Sequence, residues 1–190
     1  MKKESIITLP DKRLRQKSAK VYSVTPEIEK LVADMVSVAL DWEDSRPHEV
    51  SAALAAVQIG KLVSVIIIRN NFEDKKEREF TALINPKIVK LEGKISTDFE
   101  GCLSVPDVYG AVPRNEKIMV KAMGMDGNEI RFKADGFLAR TLQHEIDHTI
   151  GVPFIDHIKD ATKAFYKLDE KGELQPLDYE KDIRKSSILW

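Results

Sequence analysis

The feature that most constrains this chain is His144-Glu145-Ile146-Asp147-His148. Residues four apart share one face of a helix. On a helix the two imidazoles can therefore grip one ion, while Glu145, offset by roughly 100°, reaches the space beside it. Two ligands and a proton carrier make a hydrolytic arrangement. The flanks constrain the fold as well. Phe137, Thr141, His144 and His148 fall on one stripe, and Leu138, Ala139, Leu142 and Ile146 fill most of the remaining circumference. A helix apolar nearly all round is a buried one. Arg140, Gln143 and Asp147 form a polar flank that needs partners inside the protein or access to water. Burying two imidazoles and a carboxylate together is costly unless something compensates, and a divalent cation does so. Asp135 is the expected N-cap and Gly151 the expected stop.

The segments before this helix read mainly as strands. Leu62 to Ile68, rich in branched residues, is expected to be a buried strand. Phe80 to Leu91 reads as extended structure with an edge or kink at Asn85-Pro86, where proline removes a ladder donor. Lys117–Met123 and Glu129–Ala134 flank Asp126-Gly127, a hairpin signal. Thr25-Pro26-Glu27 reads as a helix start, and Ile28, Leu31, Val32, Met35, Ala39 and Trp42 recur at helical spacing. The expected class is α+β: antiparallel strands packed around a central buried helix that carries the His-Glu-x-x-His motif.

At 190 residues and 43% hydrophobic content, one domain with a sizeable core is expected. It is placed at 1–160, with 161–190 an extension whose conformation the sequence does not specify. The 30 basic and 31 acidic side chains nearly cancel, so no overall field favours nucleic acid. Cys102 is the one cysteine. No internal disulfide is possible and a reducing compartment is expected. Leu62 to Ile68 is too short to span a bilayer, and the amino terminus makes no secretory apolar stretch. The cytoplasm is the expected location, and no membrane partner is expected.

A third ligand must complete the site. The metzincin pattern requires a histidine where this chain has Phe154, which closes that route. A thermolysin-like metallopeptidase would take a later carboxylate, for which Glu170 is available. Cys102 is better motivated, because Glu100-Gly101-Cys102-Leu103-Ser104 forms a short glycine-containing turn that can present a thiolate, and a coordinated thiol is deprotonated outright. His48 and His157 are isolated and read as ordinary histidines, and Gln58 alone reads as a surface amide before a turn.

These residues carry a resemblance. Ser51-Ala52-Ala53-Leu54-Ala55-Ala56-Val57-Gln58, Glu100 to Ser104, and Gln143 to His148 with Gly151 resemble, in this order, the three motifs of the peptide deformylase family. Leu14-Arg15, Leu83 to Pro86, Val112-Pro113-Arg114 and the Asp126-Gly127 hairpin resemble it too, so the likeness covers most of residues 8–156. The resemblance implies hydrolysis of the N-formyl group from nascent formyl-methionyl polypeptides, with release of formate. It implies Cys102, His144 and His148 as ligands of one divalent metal, ferrous iron natively, with zinc, nickel or cobalt able to take its place. It implies Glu145 as proton carrier, the amide of Gln58 and the backbone N–H of Leu103 as oxyanion donors, and Glu100 and Arg114 as partners that fix the ligand turn. The expected partners are N-formyl-methionyl peptides and the ribosome at the nascent-chain exit.

One motif departs from the family pattern. Its two glycines are replaced by Ser51 and Ala53. Glycine serves where a backbone approaches a ligand closely, so Ser51, Ala53 and Leu54, the expected substrate-binding residues, are where the peptide groove is expected to be narrowed. A catalytically silent homologue that binds nascent chains is the alternative from a different class.

Overall fold

The computed structural model describes residues 1–46, 49–169 and 171–190. A seven-stranded antiparallel sheet wraps around the motif helix. Its strands are β1 (Ala53–Ala55), β2 (Val65–Arg69), β3 (Phe80–Cys102), β4 (Val105–Met123), β5 (Glu129–Asp135), β6 (Phe165–Leu168) and β7 (Leu174–Pro176), and its helices are α1 (Pro26–Asp44) and α2 (Gly136–Thr149). The order is β1-β2-β3-β4-β6-β7, and β5 also pairs with β4. The long β4 thus meets β3 along one edge, while β5 takes 117–123 and β6 takes 109–110 of the other.

The expected α+β class is the one observed. Strand β2 is buried on both faces, which is why its sequence runs apolar without alternation. Ile66 and Ile68 face a cluster with Leu142 and Ile146 of α2. Val65 and Ile67 face Met35, Val38 and Ala39 of α1. The β4–β5 hairpin turns at Asp126-Gly127, where Gly127 has φ +80°. At Asn85-Pro86 the kink is present and the edge is not: β3 lies between β2 and β4, and the ladder shifts register between Ile84 and Lys87. Asn85 takes φ +49°, and its side chain meets the backbone of Val21 in both directions, at 2.9 and 2.6 Å.

Described residues after Ala164 pack against the rest of the fold. Phe165, Ile183 and Leu189 pack with Leu14, Val112 and Phe154 in a third apolar cluster. Among the described residues, no helix is long and apolar enough to cross a membrane.

Both expected N-cap residues stand at helix starts with extended backbone, but neither Thr25 nor Asp135 makes a side-chain capping bond. The stop of α2 is more strictly determined. Gly151 has φ +78°, and a Cβ there would lie 2.6 Å from the carbonyl carbon of Arg15. Gly151→Ala is therefore expected to cost about 2 kcal/mol or more, from left-handed strain and the backbone clash together. Urea unfolding of the two proteins checks this. An unchanged midpoint would mean that the 15–16 segment yields freely.

Candidate active site

Three elements meet at one point. The irregular end of the β3–β4 pairing, where the ladder slips between Glu100 and Cys102, presents Cys102. Helix α2 presents His144 and His148 from one face, and a short turn after β1 presents Gln58. The Cys102 Sγ, His144 and His148 donor atoms lie within 4.8 Å of one another, and Cys102 Sγ stands 3.2 Å from His148 Nε2. A tetrahedral ion with bonds of about 2.0–2.3 Å spaces its donors about 3.5 Å apart, so the cluster fits a single divalent metal. The donor chemistry agrees, because soft thiolate and borderline imidazole suit transition metals.

The ligand helix is held by one carboxylate. Glu100 accepts from Arg114 at 2.9 and 3.0 Å, from Arg140 at 2.8 Å, and meets His144 Nδ1 at 3.0 Å. Burial alone would raise its pKa, but His144 and Arg114 together outweigh burial and hold it at about 2. An ionised Glu100 accepts the Nδ1–H of His144, which leaves Nε2 as the free donor atom for an ion. Burial lowers the His144 pKa, yet its contacts with Cys102 and Glu100 raise it overall. His148 goes the other way, lowered first by burial and then by its charged neighbours.

The polar flank of α2 has its partners. Arg140 also donates to the carbonyls of Val112 and Ser96, and Gln143 exchanges hydrogen bonds with the backbone of Asn115. Asp147 accepts from Arg114 and meets His157. His157 is therefore not isolated but ends this ionic chain, whereas His48 and Glu170 lie outside the described residues.

Glu145 is 5% exposed, and one of its carboxylate oxygens has no hydrogen-bond partner among the described residues. Burial pushes its carboxyl up to about 7. Gln58 is not a surface amide: it is 1% exposed. Its Oε1 accepts the Ala55 N–H at 2.8 Å, which orients its NH2 towards Cys102 Sγ and Ser104 Oγ, at 3.5 and 3.3 Å. Leu103 lines the same cleft, a cavity of roughly 380 Å³.

The expected substrate residues separate. Ala53 lines the cleft. Leu54, the next residue along β1, points to the opposite face and is buried with the α1 cluster. Ser51 is fully buried, its N–H donating to Glu43 at 2.9 Å, and it does not line the cleft. Cleft residues that the sequence left unmarked include Trp42, Arg46, Glu49 and Tyr109. Their meeting depends on contacts between the segment after α1 and the distant β4, such as the hydrogen bond from Tyr109 to Glu49, which no local pattern encodes. Arg140 was legible as a polar residue needing a partner, but Glu100 as that partner was not.

The model of the polypeptide deformylase family matches residues 3–164. The peptide deformylase of Thermomicrobium roseum is 41% identical over 172 residues, covering 89% of this chain and 93% of that protein. A crystal structure of a peptide deformylase from Synechococcus elongatus in complex with actinonin superposes with a TM-score of 0.72 at 35% identity, covering 80% of this chain and 78% of that one. A Met-Ala-Ser-bound class I type b peptide deformylase from Acinetobacter baumannii gives a TM-score of 0.70 at 28% identity, with 80% and 96% covered. The likeness runs through both the backbone and most of the sequence, and by it the chain belongs to the peptide deformylase family.

Proposed function

We propose that this chain removes the formyl group from N-formyl-methionyl peptides with Cys102, His144 and His148 holding the metal and Glu145 carrying the proton. The observation that supports this most is the convergence of a thiol and two imidazoles in one cluster beside a carboxylate and an inward-facing amide that line the cleft. When bound, a divalent ion supplies Lewis acidity, polarising the formyl oxygen and making a water acidic. Ferrous iron is the native ion in this reading, with zinc, nickel or cobalt as substitutes.

Glu145 takes the proton of the attacking water on its carboxylate and delivers it to the departing amine nitrogen. The buried setting that raises its pKa suits a group that must both accept and release a proton. As the formyl carbon becomes tetrahedral, the Gln58 NH2 and the Leu103 N–H donate to the oxyanion. Glu100, clamped by Arg114 and Arg140, keeps the His144 ring in one tautomer and orientation. Water adds across the C–N bond, leaving formate and a free amino terminus. The substrates in this reading are nascent chains leaving the ribosome in the cytoplasm. Anaerobic purification followed by measurement of formate release from formyl-Met-Ala-Ser tests the assignment, and an iron-loaded protein that releases none refutes it.

Ala53 narrows the peptide groove in this reading. Reverting Ser51 and Ala53 together to glycine is expected to raise kcat/KM on formyl-Met-Ala-Ser by about fivefold or more, the low end of what a superfluous methyl costs. Single revertants should place the gain at Ala53, since Ser51 lies off the cleft. A double revertant no better than the parent would remove the groove narrowing.

A further inference from the structure

A buried ion pair stands behind the cleft wall, apart from the groups that carry the chemistry. Glu43, in the last turn of α1, and Arg69, the last residue of β2, are each 1% exposed, and Arg69 Nη1 donates to Glu43 Oε2 at 2.7 Å. Strand alternation explains their meeting. Val65 and Ile67 face α1, so Arg69, two residues on, faces it too. The guanidinium is clamped on its other sides: Nε donates to the Asn71 carbonyl at 3.1 Å and Nη2 to that of Lys75 at 2.8 Å, with the Phe80 ring 5.8 Å away. The same Glu43 oxygen accepts the backbone N–H of Ser51 at 2.9 Å. The Arg69 N–H in turn donates to the Ala52 carbonyl at 2.9 Å. Ala52 and Ala53, which follow Ser51, line the cleft, whereas Glu43, Ser51 and Arg69 do not.

We propose that Glu43, held by Arg69, is a positioning residue that fixes the 51–53 wall of the cleft through the Ser51 N–H. Strand β1 pairs with β2 over three residues, from Ala53↔Ile68 to Ala55↔Ile66. A slip of one residue would exchange cleft-lining Ala53 with core-facing Leu54. So short a ladder defines its register weakly, and an anchor just before it supplies what pairing alone does not. Stability is a poor reason for the pair, because replacing a buried ion pair by apolar side chains of similar volume is often neutral or stabilising. Gln58 has anchors of its own in the Ala55 N–H and Ser104 Oγ, so disturbing the wall weakens substrate binding rather than the chemical step. That consequence rests on the deformylase reading, whereas the fixing of the wall does not.

Two double variants separate the parts. Glu43→Leu with Arg69→Met removes both the pair and the acceptor. Glu43→Gln with Arg69→Met removes the pair as well but keeps a side-chain oxygen for the Ser51 N–H. Amide hydrogen exchange over 51–55, which needs no turnover, is expected to quicken about tenfold or more in the first, the factor that one net hydrogen bond represents, and to stay within about threefold of the unmutated protein in the second. KM for formyl-Met-Ala-Ser should rise about fivefold or more in the first with kcat within about twofold, a small share of the ~10²-fold that a misplacement of about 1 Å can cost, and should return in the second. A purely structural pair would lower the unfolding midpoint of both variants and leave KM where it was. Glu43→Asp, which keeps the charge opposite Arg69 and shortens the reach to Ser51 by one methylene, should move exchange and KM in the same direction, and it decides the matter if the first double variant does not fold. Unchanged exchange at 51–55, equal changes in both double variants, or an unchanged KM beside quickened exchange overturns the positioning role. Formate release by the unmutated protein tests the deformylase reading separately, and if there is none, exchange alone decides whether Glu43 fixes the wall.

Discussion

Glu145→Gln is expected to keep its metal and its fold while formate release falls by roughly 10²–10⁴-fold, the usual worth of a positioned acid–base group. Glu145 supplies no atom to the Cys102-His144-His148 cluster, so the substitution removes no ligand. The amide is nearly isosteric with the carboxylate, and it replaces a group that already leaves one oxygen without a hydrogen-bond partner among the described residues. Packing of α2 around Leu142 and Ile146 is therefore undisturbed. The missing property is the ability to take up a proton and hand it on. Metal content by mass spectrometry, thermal unfolding and formate release on the same preparation check this. Loss of the metal with the activity would give Glu145 a structural part and remove it from proton transfer.

Cys102→Ala is expected to abolish metal retention, and activity with it. Changes to groups that merely orient a ligand cost 10–100-fold in affinity or activity, and here a donor atom itself disappears. The remaining imidazoles lie on one helix and offer an ion only one side. Stability should fall in step, because a ligand present at about 100 times its dissociation constant contributes about 2.7 kcal/mol to the folded state. The melting temperature of the metal-loaded protein should therefore drop, while that of the stripped protein changes little. A variant that keeps metal and activity would favour the thermolysin-type alternative, with Glu170 as the donor to examine next.

Much of this site was legible in the sequence because its parts are local. His144, Glu145 and His148 lie within two turns of one helix, and the turn around Cys102 announces itself by its glycine. Buried α2, the doubly covered β2 and the Asp126-Gly127 hairpin follow from periodicity and turn chemistry for the same reason. What local pattern could not supply was long-range pairing. The β3–β4 ladder runs from Ile84↔Met123 to Cys102↔Val105 and slips register four times. Those slips decide which side chains face the metal cluster. The fourfold satisfaction of Glu100 depends on them, as does the separation of Ser51 and Leu54 from the cleft that Ala53 lines. The hairpin at 165–176 was hidden behind a charged, irregular sequence whose apolar anchors, Phe165 and Ile183, are widely spaced.

The branching of β4 has a consequence for the order of assembly. Its 117–123 half meets β5 and then α2 within a short stretch of chain, whereas residues 109–110 wait for β6, more than fifty positions later. Contacts between distant positions form late because a long loop must close first. During synthesis the Cys-His-His cluster can come together as soon as α2 has emerged, before the hairpin that carries Leu168 exists. The wall that Leu168 adds to the cleft is then the last part of it to form.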